Sequence, residues 1–392
     1  MRHSELCKNI PLLLSSVILF GIILEVVLSL FWPHIVTEPL CQYDPVLGWT
    51  NIPEAKVKQR FGDNHYYYRT HNRKGLRSLR EIPYDKQAGS KRILLIGDSF
   101  MWGYGVDDKD VISEVMQKRF GARVEIVNGA VSGYGTDQVL LWLTREGLRY
   151  HPDLVIFGYY PGNDIEEIAT SNNHGYLKPV FLLEGGMLVL QNVPVPDTAE
   201  TRRKRFGSPD SFFGSVKKYL RHHLHSYQFI VGRLNSIPAM RKAILAAGIG
   251  EDYSWMYKDV PVFILADQEK IMDLSDALLA EIQRVSKEAG ADFLLLFIPK
   301  KEQQLEKNGS NAMQQDAKNY AWNNGADDYL TGFTRKKGIH LLDLLPLMRS
   351  AQEHGAILNH SGMDDHHWTP EGQRFAADAI AEQLERTGLL RP

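Results

Sequence analysis

Four short apolar segments, separated by stretches of helical periodicity, constrain the fold of this 392-residue chain more than any other feature. Continuous apolar runs of this length are typical of strands that are buried on both faces, as in parallel sheets. Because helical stretches alternate with them, the sequence predicts an α/β fold in which helices cover both faces of a parallel sheet. The four runs are Ile93–Ile96, Val124–Val127, Leu154–Gly158 and Phe293–Ile298.

The helices of this alternation are predicted from apolar residues that recur every three or four positions. They span Val111–Phe120, Asp137–Arg149 and Gln268–Ala289. Gly290 follows the last of them and is its predicted stop, because glycine commonly ends helices.

The alternation breaks between about residues 169 and 267, and we interpret this stretch as an insertion in the α/β domain. Within it, Val180–Leu190 predicts a β-hairpin, since two apolar runs flank a glycine pair. Phe212–Leu234 has apolar residues at helical spacing and predicts a helix. We therefore expect the insertion to form a cap or lid on the main domain.

An apolar segment near the N-terminus, Ile10–Trp32, is long enough to cross a membrane. Its 23 residues contain one charge, Glu25, and at 1.5 Å per residue they span the ~30 Å hydrocarbon core of a bilayer. Glu25 would cost about 2–3 kcal/mol at the bilayer centre, which the surrounding apolar residues can outweigh. A cleaved signal peptide is the alternative, but it needs small residues at the exit, and no alanine precedes Ala55.

The charges that flank this segment predict its orientation. Arg2 and Lys8 precede it, whereas Pro33–Ala55 contains no Lys or Arg. By the positive-inside rule, the N-terminus faces the cytoplasm and the rest of the chain lies outside. We expect a single-pass membrane protein, most simply one of a bacterial inner membrane whose main domain is in the periplasm.

These features divide the chain into three predicted parts. Residues 1–33 form a cytoplasmic tip and the transmembrane anchor. Residues 34–90 form an extracytoplasmic leader packed on the main domain, with a small hairpin around Tyr66–Tyr68. Residues 91–392 form the main domain, which contains the insertion at about 169–267.

Composition argues against several classes of function. The chain has 45 Lys and Arg against 47 Asp and Glu, a net charge of −2, whereas nucleic-acid-binding domains are usually strongly basic. Cys7 and Cys41 are too few for a disulfide scaffold or a zinc cluster. The sequence contains no apparent phosphate-binding loop, dinucleotide-binding motif or metal-ligand spacing. We therefore expect no cofactor, no metal and no nucleic-acid partner.

A serine follows the first predicted strand directly, in Gly97-Asp98-Ser99-Phe100. Open α/β sheets place their sites at the carboxyl edge of the strands, and Gly97 permits a tight exit from the strand. The triplet alone is a weak signal, because Gly, Asp and Ser are also common in surface turns.

Two further loops at the same predicted edge carry groups that can stabilise a negatively charged oxygen. The loop after Val124–Val127 is rich in glycine and includes Gly133, and glycine lets a backbone N–H approach a reacting oxygen. The loop after Leu154–Gly158 contains Asn163, whose amide can donate to an oxyanion. The alternatives are a plain connection for the first loop and a turn or helix cap for the second.

A loop that contains histidines precedes the last predicted helix, which has Thr369 as its cap. Asp364, Asp365, His366 and His367 lie in this loop, and a carboxylate can orient a histidine and stabilise its charged form. A metal site is a competing interpretation, although no further ligands at the usual spacing support it. A solvated loop is the simplest alternative.

These four motifs, in this order, resemble those of the SGNH (GDSL-type) hydrolase superfamily over roughly Arg92–Arg386. The resemblance implies a flavodoxin-like, three-layer α/β/α fold and activity on esters through a serine acyl-enzyme. It makes Ser99 the nucleophile and His367 the general base. It also makes the oxyanion donors the Ser99 N–H, the Gly133 N–H and the Asn163 side chain.

The last motif leaves the acidic member of the triad open. Asp364 gives the usual spacing of three residues to His367 and is the favoured candidate. Asp365 gives a spacing of two, with Trp368 after the histidine, a form that resembles the SGNH-like domains of periplasmic polysaccharide O-acetylation proteins. His366 is the less favoured alternative to His367.

The resemblance leaves three functional hypotheses. The first is a membrane-anchored extracytoplasmic serine esterase that hydrolyses an acyl ester of a glycan, glycolipid or lipid. The second is an O-acyltransferase, or its partner, that modifies an exported polysaccharide. Since a single span cannot carry acyl groups across a bilayer, this version needs a multi-spanning acyl-donor protein. The third is a non-catalytic glycan-binding or scaffold protein, which the intact Ser, Asn, Asp and His set disfavours.

Overall fold

The computed structural model describes residues 2–31, 41–61, 65–173, 176–197, 224–235, 267–305, 326–360 and 366–390, with a few single residues between 216 and 243. The chain forms two compact units. One contains Met1–Glu38 and Ala199–Val260, and the other contains Pro39–Thr198 and Pro261–Pro392. The predicted division into tip, leader and main domain stays a prediction.

The described helices and strands follow in chain order. The helices are α1 (Arg2–Phe31), α2 (Ser99–Trp102), α3 (Ile112–Phe120), α4 (Thr136–Arg145), α5 (Pro161–Asp164), α6 (His225–Asn235), α7 (Gln268–Glu288), α8 (Lys301–Leu305), α9 (Ala326–Lys337), α10 (Leu345–Glu353) and α11 (Pro370–Thr387). The strands are β1 (Cys41–Asp44), β2 (Gly48–Asn51), β3 (Lys56–Phe61), β4 (His65–Thr70), β5 (Lys91–Gly97), β6 (Val124–Asn128), β7 (Leu154–Tyr159), β8 (Asn172–Asn173), β9 (Tyr176–Leu177), β10 (Val180–Glu184), β11 (Met187–Gln191), β12 (Asp292–Phe297) and β13 (His340–Asp343).

The second unit is built on a five-stranded parallel sheet in the order β13-β12-β7-β5-β6. The four apolar runs of the sequence are its strands β5, β6, β7 and β12, so these predictions are confirmed. β13 is an edge strand that the sequence pattern does not predict, because it has four residues and only one of them is fully buried.

Side chains of β5 alternate between two hydrophobic cores. Leu94 and Ile96 lie in the core that contains residues of α4 and α7, whereas Ile93 and Leu95 lie in the core that contains residues of α3 and α11. Strands that are buried on both faces explain the continuous apolar runs. The predicted fold class, a three-layer α/β/α sandwich around a parallel sheet, is therefore confirmed.

The predicted helix Asp137–Arg149 is divided in the structure into α4 and a 3₁₀ helix, Gly147–Tyr150. A Cβ added at Gly147 would lie 2.9 Å from the Trp142 ring and 3.1 Å from the Leu94 side chain. The chain thus passes close to the core where the α-helix ends, and the tighter turn accommodates this approach. The other two predicted helices agree with α3 and α7 to within one residue at each end.

The leader forms two antiparallel pairs, β1–β2 and β3–β4, and the second pair is the hairpin predicted around Tyr66–Tyr68. Side chains of β2 donate hydrogen bonds to the glycine-rich loop that follows β6. The Trp49 indole donates to the Ser132 carbonyl at 3.1 Å, and the Asn51 amide donates to the Ala130 carbonyl at 3.1 Å. The leader therefore supports the carboxyl edge of the sheet.

The predicted insertion is described in part. The hairpin predicted at Val180–Leu190 is present as the antiparallel pair β10–β11, and β10 packs against α7 with Val180 and Phe181 buried. The helix predicted at Phe212–Leu234 is described mainly as α6, and most of its earlier residues lie outside the described ones.

Within α1, Pro11–Phe31 is long and apolar enough to cross a membrane, and no other described helix has this property. The finding concerns length and composition alone, and a signal sequence near the N-terminus has the same features. Anchoring therefore stays a proposal.

Candidate active site

Ser99 lies where β5 ends and the short helix α2 begins. Asp98 caps this helix, because its carboxylate accepts a hydrogen bond from the Phe100 N–H at 2.9 Å. Gly97 has a φ of 144°, and a Cβ added there would lie 2.8 Å from the Gly158 carbonyl oxygen. A side chain at this exit would be both strained and obstructed, so glycine allows the serine to follow the strand directly.

His367 lies next to Ser99. Its Nε2 is 2.8 Å from Ser99 Oγ, a geometry in which the imidazole can take the hydroxyl proton. The ring packs against Phe100 and Tyr104, with ring centroids 5.1 and 4.8 Å away. The His360 N–H donates to the His367 carbonyl at 2.9 Å and holds the loop in place. The structure thus brings the predicted nucleophile and the predicted base together.

His366, the less favoured histidine of the sequence, has different ring contacts. It stacks on Tyr160 with a centroid distance of 5.4 Å and an interplanar angle of 11°. It also stacks on His367 at 4.8 Å. His366 therefore forms part of the aromatic wall beside the His367 ring.

Gln373 joins the last helix to the helix of the nucleophile. Its side-chain amide donates to the Phe100 carbonyl at 3.0 Å, and its oxygen accepts from the Ile112 N–H at 2.8 Å. The side chain is fully buried. Sequence reasoning missed this residue, although a glutamine on the same helical stripe as Ala376 and Ile380 is a signal that could have found it.

The predicted acidic partners of His367, Asp364 and Asp365, lie outside the described residues. The described part of the loop resumes at His366, and Trp368 pairs with Asn359 in an isolated antiparallel bridge. This bridge holds the chain beside the site just before α11 begins. The role of either aspartate stays a prediction.

Asn163 lies in α5, directly after β7. Its Nδ2 donates to Asp98 Oδ2 at 2.7 Å, so the amide is adjacent to the residue that precedes the nucleophile. A primary amide has a second N–H, which this bond leaves for another acceptor. Asp164 accepts from the Thr136 hydroxyl at 2.8 Å and from the Tyr160 N–H at 2.8 Å, and these bonds hold the loop in place.

Gly133 lies in the loop after β6, with a φ of 77°. Its carbonyl accepts from the Asn173 amide at 2.9 Å. The same loop is bonded to the exit of β5, because the Val131 N–H donates to the Gly97 carbonyl at 3.2 Å. The loop of Gly133 therefore lies at the same edge of the sheet as the nucleophile.

Asp98 is a fully buried carboxyl group in this site. Burial raises its pKa to about 6, although the Phe100 N–H, the charge of His367 and the Asn163 amide all act to lower it. The carboxyl is therefore mainly ionised above pH 6. Its carboxylate then accepts from the Phe100 N–H and the Asn163 amide, and it interacts electrostatically with His367.

A family model matches the C-terminal part of the chain, which carries the histidine motif. The model of the SGNH hydrolase-like domain of acetyltransferase AlgX matches residues 248–391, which include His366, His367 and α11. This part of the chain is therefore similar to an SGNH hydrolase-like domain. A search of curated protein sequences gave no match.

Several solved structures are similar to this chain. That of TesA is 13% identical and covers 76% of this chain and 100% of its own, with a TM-score of 0.37. The esterase EstA from Pseudoalteromonas sp. is 11% identical and covers 76% and 98%, with a TM-score of 0.35. A catalytic mutant of Axe2, an acetylxylan esterase from Geobacillus stearothermophilus, is 11% identical and covers 76% and 96%, with a TM-score of 0.37. These similarities carry no argument at scores this low, and the fold class depends on the sheet topology of the chain itself.

Behind the site, the unit of the sheet buries further carboxyl groups around one lysine. Lys178 is fully buried and pairs with Asp137, and its ammonium donates to the carbonyls of Glu167 at 2.9 Å and Thr170 at 3.2 Å. Among the described atoms, Glu167 Oε2 is buried without a hydrogen-bond partner. Burial raises the pKa of Asp137, and it raises those of Asp164 and Glu167 well above their usual range. Sequence spacing carries no signal for this cluster.

The leader holds the loop that follows the helix of the nucleophile. Arg77 is fully buried, and its guanidinium donates to the carbonyls of Tyr68 at 3.2 Å, Val106 at 3.0 Å and Gly103 at 3.4 Å. It also pairs with Asp108 at 3.0 Å. The sequence predicts that the leader packs on the main domain, but it does not predict this arginine, since arginines are mostly exposed.

Proposed function

We propose that this chain is a membrane-anchored serine esterase whose catalytic domain lies outside the cytoplasm, most simply in a bacterial periplasm. The observation that carries the chemistry is the 2.8 Å contact between Ser99 Oγ and His367 Nε2. A serine hydroxyl and a histidine at this distance, at the carboxyl edge of a parallel sheet, suit nucleophilic acyl transfer. The match to an SGNH hydrolase-like domain supports the same class of reaction.

The proposed reaction has two halves. In the first, His367 takes the Ser99 proton as Oγ attacks the ester carbonyl, and it then gives this proton to the leaving alcohol as the ester C–O bond breaks. The acyl group is now bound to Ser99. In the second, His367 takes a proton from water as the water oxygen attacks the acyl carbon. The acid leaves, and the proton returns to Ser99 Oγ.

Three donors are proposed for the negatively charged oxygen of both tetrahedral intermediates: the Ser99 N–H, the Gly133 N–H and the Asn163 side chain. The bond from Asn163 to Asp98 supports this role, because it holds the amide next to the nucleophile and leaves one N–H for the oxyanion. Loss of one such donor typically costs about 10²–10³ in rate.

Asp364 is the proposed acidic partner of His367, and Asp365 is the alternative. The carboxylate would hold Nδ1, since Nε2 faces Ser99. The proposed substrate is an acyl ester of a glycan, glycolipid or lipid. The proposed chemistry uses side chains and backbone N–H groups of the protein and needs no cofactor, metal or nucleic-acid partner.

The proposed anchor is the apolar segment Pro11–Phe31. Its basic flank, Arg2 and Lys8, supports a cytoplasmic N-terminus and a catalytic domain on the other side of the membrane. This location suits an enzyme that acts on cell-surface or exported molecules.

A second candidate function is O-acetyl transfer to an exported polysaccharide. It is favoured by the family model, whose description names acetyltransferase AlgX. The position of Trp368 directly after His367 favours it as well. In this version a sugar hydroxyl replaces water in the second half-reaction, and a multi-spanning partner supplies the acyl groups. Hydrolysis is the first candidate because water needs no additional binding site.

Fluorophosphonate labelling of the full-length protein in detergent tests the serine chemistry. We expect covalent label on Ser99 and none in the Ser99→Ala protein, while Ser90→Ala, a change at a half-buried serine just before β5, labels normally. Turnover of acyl esters should be lost together with the label. Full turnover in Ser99→Ala would refute both candidate functions.

A partition assay then separates hydrolysis from transfer. The protein is given an acetyl ester donor with and without a polysaccharide acceptor, and free acetate and acetylated sugar are both measured. An esterase releases acetate in both cases, whereas a transferase moves acetyl groups to the sugar at the expense of acetate. Acetylated sugar as the main product would replace the first candidate by the second.

A further inference from the structure

Glu25, the one charge within the apolar segment of α1, is bound at the start of α6. Its Oε1 accepts from the His225 N–H at 2.6 Å, and its Oε2 accepts from the Ser226 N–H at 3.0 Å and the Ser226 hydroxyl at 2.6 Å. His225 Nδ1 is 2.9 Å from Oε1. The first N–H groups of a helix have no partner within it, and that end carries partial positive charge. The carboxylate of Glu25 therefore caps α6.

One stripe of α1 is covered where α6 packs on it. Leu28 is 5% exposed, and Leu24 and Glu25 are half-buried, whereas the side chains from Pro11 to Ile23 are exposed. Residues three and four positions apart lie on the same face of a helix. The covered stripe is thus confined to the C-terminal part of the apolar segment.

The chain in and after α6 exposes apolar side chains of its own. Ile230 is 47% exposed, Ile237 is 49% exposed and Met240 is 44% exposed. These residues belong to the same unit as α1, whose apolar side chains are also exposed, Leu19 for example by 58%. Extended apolar surface of this kind is unfavourable in water and marks a protein or membrane contact.

We propose that α6 belongs to the membrane-embedded part of this protein, where it packs on α1 and lipid acyl chains cover Ile230 and the exposed apolar side chains that follow the helix. The proposal rests on the proposed membrane anchor and is independent of the ester chemistry. A bilayer is the partner that fits, because Ile230 of α6 and the exposed Ile237 and Met240 after it belong to the same unit as a segment long enough to span one. In this arrangement Glu25 is a docking residue that is shielded from lipid.

The position of Glu25 gives the depth of this contact. Glu25 and Phe31, the end of the apolar segment, are six positions apart, which is about 9 Å along a helix. In a hydrocarbon core of ~30 Å, the start of α6 then lies well below the surface. An unpaired carboxylate at this depth is costly, and the capping bonds reduce that cost.

Site-directed spin labels test the depth. Leu19→Cys, Ile230→Cys and Ile357→Cys are labelled one at a time in the full-length chain with Cys7→Ser and Cys41→Ser, and each protein is reconstituted in phosphatidylcholine–phosphatidylglycerol vesicles. Ile357 is the matched control, an isoleucine that is 66% exposed in the unit of the sheet. Collisions of each label with oxygen, which concentrates in lipid, and with a water-soluble nickel chelate are measured.

The expected result is an oxygen-to-nickel ratio at residue 230 that is close to the ratio at residue 19 and several-fold above the ratio at residue 357. A ratio at 230 like that at 357, with residue 19 immersed, would overturn this proposal and leave the anchor intact. A water-exposed label at residue 19 would overturn the anchor and this proposal together.

Replacement of Glu25 tests the docking itself. In Glu25→Leu the start of α6 loses its acceptors, so the label at Ile230 should become more mobile and its collisions with nickel should increase several-fold. Glu25→Gln keeps one acceptor oxygen and should have a smaller effect, and Glu353→Leu, a change at an exposed glutamate of the other unit, should have none. Unchanged mobility and accessibility in Glu25→Leu would overturn the assignment of Glu25 as the docking residue.

Discussion

Replacement of Lys178 by methionine should destabilise the unit of the sheet by about 3–5 kcal/mol, the usual result of removing one partner of a buried ion pair. The Lys178 and Asp137 side chains are 0% and 1% exposed, so solvent does not screen the carboxylate that remains. The carbonyls of Glu167 and Thr170 also lose a donor. Methionine has a similar volume, so the loss is electrostatic and leaves little cavity.

The expected change is large enough for thermal unfolding of the full-length protein in detergent, followed by circular dichroism. At about 2–4 °C per kcal/mol for a domain of this class, the melting temperature should fall by roughly 6–20 °C. Lys270→Met is the matched control, because Lys270 is 69% exposed in its pair with Asp267 and should contribute less than about 1 kcal/mol.

The loss in Lys178→Met should also depend on pH. Burial raises the pKa of Asp137 and Lys178 lowers it, so removal of the lysine raises this pKa further. A carboxyl whose pKa is raised in the folded state contributes stability below its unfolded pKa, and this contribution is lost as the pH rises. The destabilisation should therefore be larger at pH 8 than at pH 5, and Asp137→Leu added to Lys178→Met should recover most of it. An effect no larger than that of Lys270→Met, or independent of pH, would refute the reasoning.

Three further predictions follow. Asp364→Asn should lower turnover by about 10²–10⁴ while Asp365→Asn has little effect, because only one carboxylate can hold His367; equal, small losses would exclude both aspartates. Arg77→Met should lower both the melting temperature and kcat, because the loop after the nucleophile loses its donors, whereas Arg73→Met, at a residue 77% exposed, should change neither. A periplasm-dependent reporter fused after residue 392 should be active, and activity of a cytoplasmic reporter there would overturn the proposed topology.

Much of the sheet and the place of the nucleophile could be predicted from the sequence. Strands buried on both faces leave continuous apolar runs, such as Ile93–Ile96, that are visible without any alignment. A glycine and a serine directly after such a run lie at the carboxyl edge of the sheet whatever else the chain does. The pairing of Ser99 with His367 follows from the resemblance, and the structure places the two side chains in contact.

The supports of the site could not be predicted in the same way. Arg77 and Lys178 are charged residues in irregular segments, where the sequence pattern favours exposure, and their burial depends on carbonyls and carboxylates that come together only in the folded chain. Gln373 differs from them, because a polar residue on the apolar stripe of a helix is visible in the sequence. β13 is short and only partly buried, so it lacks the pattern of the other strands.

The charge on Asp98 connects the stability of the site with its chemistry. Its pKa rises from 3.8 to about 6 on folding because the group is buried, so its ionised form at neutral pH costs about 3 kcal/mol of stability, at 1.36 kcal/mol per unit. The buried, neutral carboxyl therefore contributes this stability below pH 4, and the contribution is lost as the pH rises through 6. Burial raises the pKa values of Asp164 and Glu167 well above their usual range, so their ionisation, which would oppose an oxyanion, is disfavoured. The charge of His367 lowers the pKa of Asp98, so we expect the protonated histidine that the reaction creates and the Asp98 carboxylate to attract each other.

Asp98→Asn separates these two effects. The unfolding free energy of the variant relative to the wild type should rise by about 3 kcal/mol between pH 4 and pH 7, because asparagine does not titrate. Turnover at pH 7 should fall for two reasons. The introduced side-chain amide is uncharged, so it cannot stabilise the imidazolium of His367. Its single oxygen also cannot replace both carboxylate oxygens as acceptors for the Phe100 N–H and the Asn163 amide. The wild-type rate should also decrease below pH 6 as Asp98 takes up a proton. A variant with wild-type turnover, or a stability difference that is constant with pH, would show that the Asp98 carboxylate neither titrates on folding as argued nor acts on the histidine.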